Sequence, residues 1–200
     1  MAREVAKRNG WKLELIPIKW GEKQQDIDSG KIDCIWSSFT INGREELFTW
    51  SEPYWENKQV AVVKKDSPIK TLADLAGKKV SVQTGTTAES FCMAENYKVS
   101  SFAANNDAEM ALVKGKVDAW VIDDLTAADM VAAYNKDHDD KLVILSEAMT
   151  TEPYAFAFAK SNTELVEQIN AVLKELLEAG TVAEIFEAYE APYTAPEVAE

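Results

Sequence analysis

Polar and apolar positions change their period along this chain, and the changes mark its elements. Residues 2–9 carry helical spacing without an N-cap, as though cut from a longer helix, and Asn9-Gly10 ends it. Lys12-Leu13-Glu14-Leu15-Ile16-Pro17-Ile18 alternates, which predicts a strand with Pro17 towards one edge. A short helix over 22–29 stops at Gly30, and Lys31–Trp36 reads as a buried strand running into the polar loop Ser37–Arg44. Residues 48–64 predict two short extended pieces broken at Pro53, the second containing Val60-Ala61-Val62-Val63. Thr71–Gly77 reads as one capped helical turn with a glycine stop.

From Val80 the alternation of elements becomes strict. The pattern predicts strands at 79–83, 98–102, 117–122 and 142–145, with helices at 87–95, 106–114 and 124–134 between them. Strands alternating with helices of this length imply parallel βαβ units. A strand at 155–159, an amphipathic helix at 163–179 closed by Gly180, and a last helix at 181–189 follow, with a frayed tail after Pro192.

A weak internal repeat adds a second level. Gly30-Lys31-Ile32-Asp33-Cys34 matches Gly115-Lys116-Val117-Asp118-Ala119, and each strand leads to a polar cluster: Ser37 and Ser38 in one, Asp123 and Asp124 in the other. Ligands of open α/β sheets bind outside the carboxyl ends of strands. The expectation is therefore an α/β protein of two related Rossmann-like lobes. Residues 1–65 and 152–200 form the first, and residues 66–151, inserted into it, form the second. Linkers at 64–67 and 151–155 would form a two-segment hinge.

Composition narrows the function. An apolar fraction of 46% with six Trp supports a sizeable core across 200 residues. A net charge of -13 argues against nucleic acid and anionic membrane as partners. No apolar run approaches the length of a membrane span. Met1 is followed directly by Ala2-Arg3-Glu4 in helical pattern, so no secretory signal is expected in this chain. Cys34 and Cys92 lie far apart in apolar segments and read as buried free thiols, with a disulfide as the alternative. The single His138 sits in the polar run Lys136–Asp140, without a second ligand cluster, so no metal or other cofactor is expected.

Val80–Ser90 carries the first candidate chemistry: a β-branched strand, the turn Gly85-Thr86-Thr87, then a helix. Unpaired N–H groups and the helix dipole favour an anion there, and the threonines add hydroxyl donors. The same residues also describe an ordinary β-turn-α junction with a Thr N-cap. Arg44 offers a planar fork for a carboxylate, or is a surface arginine beside Glu45 and Glu46. Asp123 offers an acceptor for an ammonium, or caps the helix that follows. Ser38 and Thr40 bring carbonyl and hydroxyl groups, while Trp36, Trp55 and Trp120 read first as core. One anion clamp and one cation acceptor together describe the zwitterion of an α-amino acid.

Several motifs now converge. Ser37-Ser38-Phe39-Thr40…Arg44 is followed by Trp50-Ser51-Glu52-Pro53-Tyr54, and Leu75-Ala76-Gly77-Lys78 by Gln83-Thr84-Gly85-Thr86-Thr87. With Val117-Asp118-Ala119…Asp123 and Gly180-Thr181, this order resembles the polar amino-acid substrate-binding proteins of ABC importers, over nearly the whole chain. The resemblance implies a periplasmic-binding-protein type 2 fold and an extracytoplasmic receptor, periplasmic or at the cell surface. It implies a polar L-amino acid as ligand and transporter membrane subunits as partners. It assigns Arg44, Thr86 and Thr87 to the ligand carboxylate, with Gly85 in the same turn, and Asp123 to the ammonium. Ser38 and Thr40 complete the main-chain contacts, and Gln83 and Trp36 lie near the ligand side chain.

Two departures from the resemblance stand out. The loop from Thr40 to Arg44 is one residue shorter than in many members, and the family's first strand and its following loop have no counterpart. An incomplete first lobe would expose unpaired backbone, so self-association or segment exchange is expected. Two other functions compete: an enzyme on the same fold, dehydratase-like, and a truncated or engineered scaffold with impaired binding. An enzyme needs a general acid or base, and only Glu89 and Asp124 are spare acids near the proposed site.

Overall fold

The computed structural model describes residues 1–189, 191 and 193–196. In chain order the elements are α1 (Ala2–Arg8), α2 (Lys23–Asp28), β1 (Cys34–Ile35), β2 (Thr49–Trp50), β3 (Trp55–Lys64), β4 (Lys79–Gln83), α3 (Thr87–Ala94), β5 (Lys98–Phe102), α4 (Asn105–Val113), β6 (Ala119–Asp123), α5 (Asp124–Asp137), β7 (Leu142–Tyr154), β8 (Ala157–Phe158), α6 (Thr163–Glu178) and α7 (Thr181–Ala188). Single 3-10 turns stand at Trp20–Glu22 and Leu72–Leu75. The chain divides into two compact units, Met1–Glu56 with Glu152–Glu200, and Asn57–Thr151. Both boundaries fall inside strands, β3 and β7. The sequence expectation set them at 65/66 and 151/152.

The second unit holds a five-stranded sheet of order β5-β4-β6-β3-β7. β4 runs parallel to β5 and to β6, with Val80 opposite both Val99 and Ala119, as the βαβ pattern predicts. β3 is antiparallel to β6, pairing Gln59 with Asp123 and Val60 with Ile122. The near-continuous apolar runs of β3 and β6 have a simple cause: the sheet is covered on both faces. Val60, Val62, Trp120 and Ile122 pack with Ala108, Leu112 and Val131. Ala61, Val63, Ala119 and Val121 pack with Leu75, Val80, Val82 and Cys92. The expected capped turn is present: Thr71 and Asp74 close a capping box over the 3-10 turn.

The first unit has a smaller sheet of order β1-β8-β2, antiparallel throughout. Its core is aromatic: Phe39 meets Trp20, Phe48 and Trp50 at centroid distances of 5.0, 5.4 and 5.0 Å. α6 buries Val166, Ile169, Val172, Leu173 and Leu176, the stripe its period predicts.

Several expectations are corrected. Residues 12–18 form no strand and are mostly exposed, because alternation makes a strand only where a neighbour completes the ladder. The strand expected at 31–36 shortens to β1, and that at 155–159 to β8. Glu152-Pro153-Tyr154, read as a linker, is the end of β7, and the two pieces expected in 48–64 are a two-residue strand and a ten-residue one. Within the expected frayed tail, Glu56 donates from its N–H to the Thr194 carbonyl at 3.0 Å, and Tyr193 lies 5.1 Å from the Phe186 ring. Pro192 and residues 197–200 lie outside the described residues.

Candidate functional site

The predicted site residues fall on both units, and each group has its own geometry. In the second unit β6 ends at Asp123, where α5 begins. Asp123 occupies the N-cap position yet makes no capping hydrogen bond. Its Oδ1 accepts instead from Gln59 Nε2 at 2.7 Å and Asn57 Nδ2 at 3.2 Å. Gln59 is the direct cross-strand partner of Asp123, and Asn57 lies two residues away on the same strand face. Both amides are buried, so the carboxylate is oriented by two neutral donors at a strand's carboxyl end. Gln59 Nε2 also donates to Thr87 Oγ1 at 3.2 Å, which ties Asp123 to the first turn of α3.

The Gly85–Thr87 turn is an N-terminal junction in full use. Gly85 takes φ +75°, which a side chain would oppose. Thr86 caps α3, accepting from the Glu89 N–H at 3.2 Å and donating to the Gln83 carbonyl at 2.7 Å. The Gly85 N–H donates to Glu89 Oε2 at 2.7 Å. A carboxylate thus already sits on an amide predicted to bind one, as the helix dipole favours. Gln83 reaches the Ala103 carbonyl at 3.1 Å. Asp124, the neighbouring spare acid, has its carboxyl pushed above the usual carboxylate range, mainly by burial.

In the first unit the Ser37–Arg44 loop follows β1. Thr40 is buried and bridges antiparallel to Tyr154, while the half-buried Ser38 precedes the core residue Phe39. Arg44 Nη1 donates to the Thr40 carbonyl at 3.4 Å, and its guanidinium lies 5.0 Å from the Phe39 ring. Trp50 Nε1 holds the Arg44 carbonyl at 3.3 Å, and Glu45 is engaged with the Gly43 N–H at 3.1 Å. Lys23 Nζ stands over Trp20 at 4.6 Å and lies 5.9 Å from Phe39. Burial, and then the charge of Arg44, lower the Lys23 pKa, so two cations share one aromatic cluster. Trp36 stacks on Phe156 at 3.7 Å.

The structure therefore joins Asp123 with Thr87, Gly85 with Thr86 and Gln83, and Thr40 with Arg44. Sequence reasoning missed Asn57, Gln59 and Lys23. The first two carried a signal: polar amides at i and i+2 on a strand otherwise made of apolar residues. Trp55 and Trp120 are core, as first read. Among the described residues no group of three His, Cys, Asp or Glu side chains could hold a metal ion, and no helix is long and apolar enough to cross a membrane.

Comparison with known proteins gives a consistent picture. The profile of the bacterial extracellular solute-binding proteins, family 3, matches residues 1–191. The L-cystine-binding protein TcyJ of Escherichia coli (strain K12) is 31% identical over 191 residues, covering 93% of this chain and 70% of that protein. The crystal structure of the P235GK mutant of ArgBP from T. maritima superposes with TM-score 0.83 at 37% identity, covering 94% of this chain and 81% of that one. An ancestral arginine-binding protein bound to glutamine superposes with TM-score 0.82 at 37% identity, covering 94% and 84%.

Proposed function

Because the chain belongs to the bacterial extracellular solute-binding proteins of family 3, we infer that it is a receptor for a polar L-amino acid, captured reversibly and delivered to an ABC importer. In this reading it works outside the cytoplasmic membrane, hands its ligand to the importer's membrane subunits and performs no chemistry on it. Arg44 pairs with the ligand carboxylate, which Thr86 and Thr87 also engage, and Asp123 takes the ammonium. The Gly85 N–H joins the carboxylate site when the ligand displaces Glu89. Ser38 and Thr40 contribute main-chain and hydroxyl contacts, and Gln83 and Trp36 bear on the ligand side chain.

The observation that carries the assignment is the setting of Asp123. A carboxylate at a helix N-terminus is ordinarily spent on the cap. Here it accepts from the buried amides of Asn57 and Gln59, neutral donors that orient it. A carboxylate oriented in this way is the kind of acceptor that an ammonium group needs.

The test is a thermal-shift panel of the twenty amino acids and cystine, run on the native chain and on Asp123→Asn. A ligand at about 100 times its dissociation constant stabilises by about 2.7 kcal/mol, a rise of roughly 5–10 °C for a chain of this size. The expected result is a shift with one or two polar amino acids, absent in the variant at the same ligand concentration. No shift with any amino acid overturns the receptor reading. An equal shift in the variant overturns the role of Asp123.

A further inference from the structure

The chain holds two Asn-Gly steps, Asn9-Gly10 and Asn42-Gly43. Such a step carries a chemistry of its own. The side-chain amide carbon of Asn is an electrophile, and the backbone nitrogen of the next residue can reach it and close a cyclic imide. Glycine puts no side chain in the way of that closure. The reaction needs an asparagine side chain free to turn and a backbone N–H able to leave its hydrogen bond. The fold therefore decides which of the two steps reacts.

The two steps are held differently. Asn9 is the C-cap of α1. Its Nδ2 donates to the Val5 carbonyl at 3.1 Å, and the Gly10 N–H donates to the Lys7 carbonyl at 3.2 Å. Both reacting groups are thus tied to the last turn of the helix. Asn42 is exposed in the loop after β1, and its side-chain amide makes no hydrogen bond among the described residues. Asn42 and Gly43 are the central pair of a turn, closed by the Arg44 N–H on the Ile41 carbonyl at 2.9 Å, with Gly43 at φ +73°. The Gly43 N–H donates to Glu45 Oε1 at 3.1 Å, an exposed side-chain acceptor instead of a helix carbonyl. That carboxylate can swing away, and while in place it stands beside the nitrogen that must lose its proton.

We propose that Asn42 is a site of spontaneous deamidation and that its conversion disables Arg44. The Gly43 nitrogen attacks Asn42 Cγ, a new C–N bond forms, and the bond from Cγ to Nδ2 breaks. Ammonia leaves, carrying the proton of the Gly43 nitrogen. Water then opens the cyclic imide at either carbonyl, giving aspartate or isoaspartate. Either product sets a carboxylate two residues before Arg44, where it competes for the guanidinium. Isoaspartate also routes the backbone through Cβ. The added backbone atom breaks the turn from Ile41 to Arg44 and moves Arg44 Nη1 from the Thr40 carbonyl, 3.4 Å away. The modification is independent of what the protein binds, whereas its effect on binding rests on the role proposed for Arg44.

Peptide mapping by mass spectrometry, on the native chain incubated in warm, mildly alkaline buffer, tests the site, with the urea-unfolded chain as reference. In urea both steps are expected to convert; in the folded chain Asn42 converts while Asn9 stays an amide. Asn42→Gln, at an exposed position, should fold as the native chain does and stay unconverted, because its longer side chain closes the ring far more slowly. The thermal-shift panel, run before and after incubation, reads the consequence. The converted native fraction should lose its amino-acid shift, and incubated Asn42→Gln should keep it. Both steps converting together in the folded chain overturns the site, as does an Asn42 that survives there while the urea-unfolded chain converts. A fully converted native chain that keeps its shift overturns the effect on Arg44. A panel blank before incubation removes the receptor reading and that effect with it, while the peptide map still decides the site.

Discussion

At the scale of single residues, the site depends on groups that never touch the ligand in the proposed reading. Gln59 donates to Asp123 at 2.7 Å and to Thr87 at 3.2 Å, so one buried amide positions the proposed ammonium acceptor and a hydroxyl together. Gln59→Leu keeps the approximate shape and removes both donations. A hydrogen bond to a charged group contributes about 1.5–3 kcal/mol, so amino-acid affinity should fall roughly 10-fold or more. Isothermal titration at a temperature where both forms are folded checks this. Lower stability with unchanged affinity would assign the amide to folding alone. The sequence made Asp123 legible because a carboxylate between a strand and a helix has few roles. It left Asn57 and Gln59 unread, because their meaning lies in a cross-strand register no local pattern encodes. It could not choose between Thr86 as cap and Thr86 as ligand donor either. The structure shows the hydroxyl accepting as the cap and donating its hydrogen to the Gln83 carbonyl, so donation to a ligand requires release from that carbonyl.

At the scale of elements, legibility followed how locally each one is specified. The second unit's strands and helices emerged from period and punctuation, since each βαβ unit buries a continuous apolar strand between helices. Residues 12–18 carried an equally clear alternation and form no strand, because pairing comes from elsewhere in space and period does not supply it. The pattern places a strand at 142–145 and a linker at Glu152-Pro153-Tyr154, yet β7 runs from Leu142 through Pro153; β3 begins just after Pro53, where the break is expected, but extends for ten residues. The α6–α7 junction is specified locally, and it yields a clean prediction. Gly180 takes φ +74°, and a Cβ added there would meet nothing within 4 Å. Gly180→Ala therefore costs only the left-handed backbone conformation, about 1–2 kcal/mol. For a chain of this length that lowers the melting temperature by roughly 2–8 °C, at about 2–4 °C per kcal/mol. Calorimetry checks it; an unchanged midpoint would mean that the junction relaxes without strain.

At the scale of the whole molecule, charge is the dominant long-range term. The chain carries 34 acidic against 21 Lys and Arg side chains, a net charge of -13. Like charges brought together by folding repel. The Debye length falls from about 30 Å at 0.01 M salt to about 10 Å at 0.1 M, so moderate salt screens most of this repulsion. Raising sodium chloride across that range should raise the melting temperature, because the apolar contacts of the core do not depend on salt in this range. Ligand capture should show the opposite trend where the ligand is a cation. A net anion attracts arginine over long distances, so the association rate for arginine should fall with salt, while that for the neutral zwitterion glutamine stays nearly constant. Stopped-flow binding with both amino acids separates the two contributions. Equal salt dependence for the two would place the selectivity entirely in the contacts of the site, with no part for the field of the molecule.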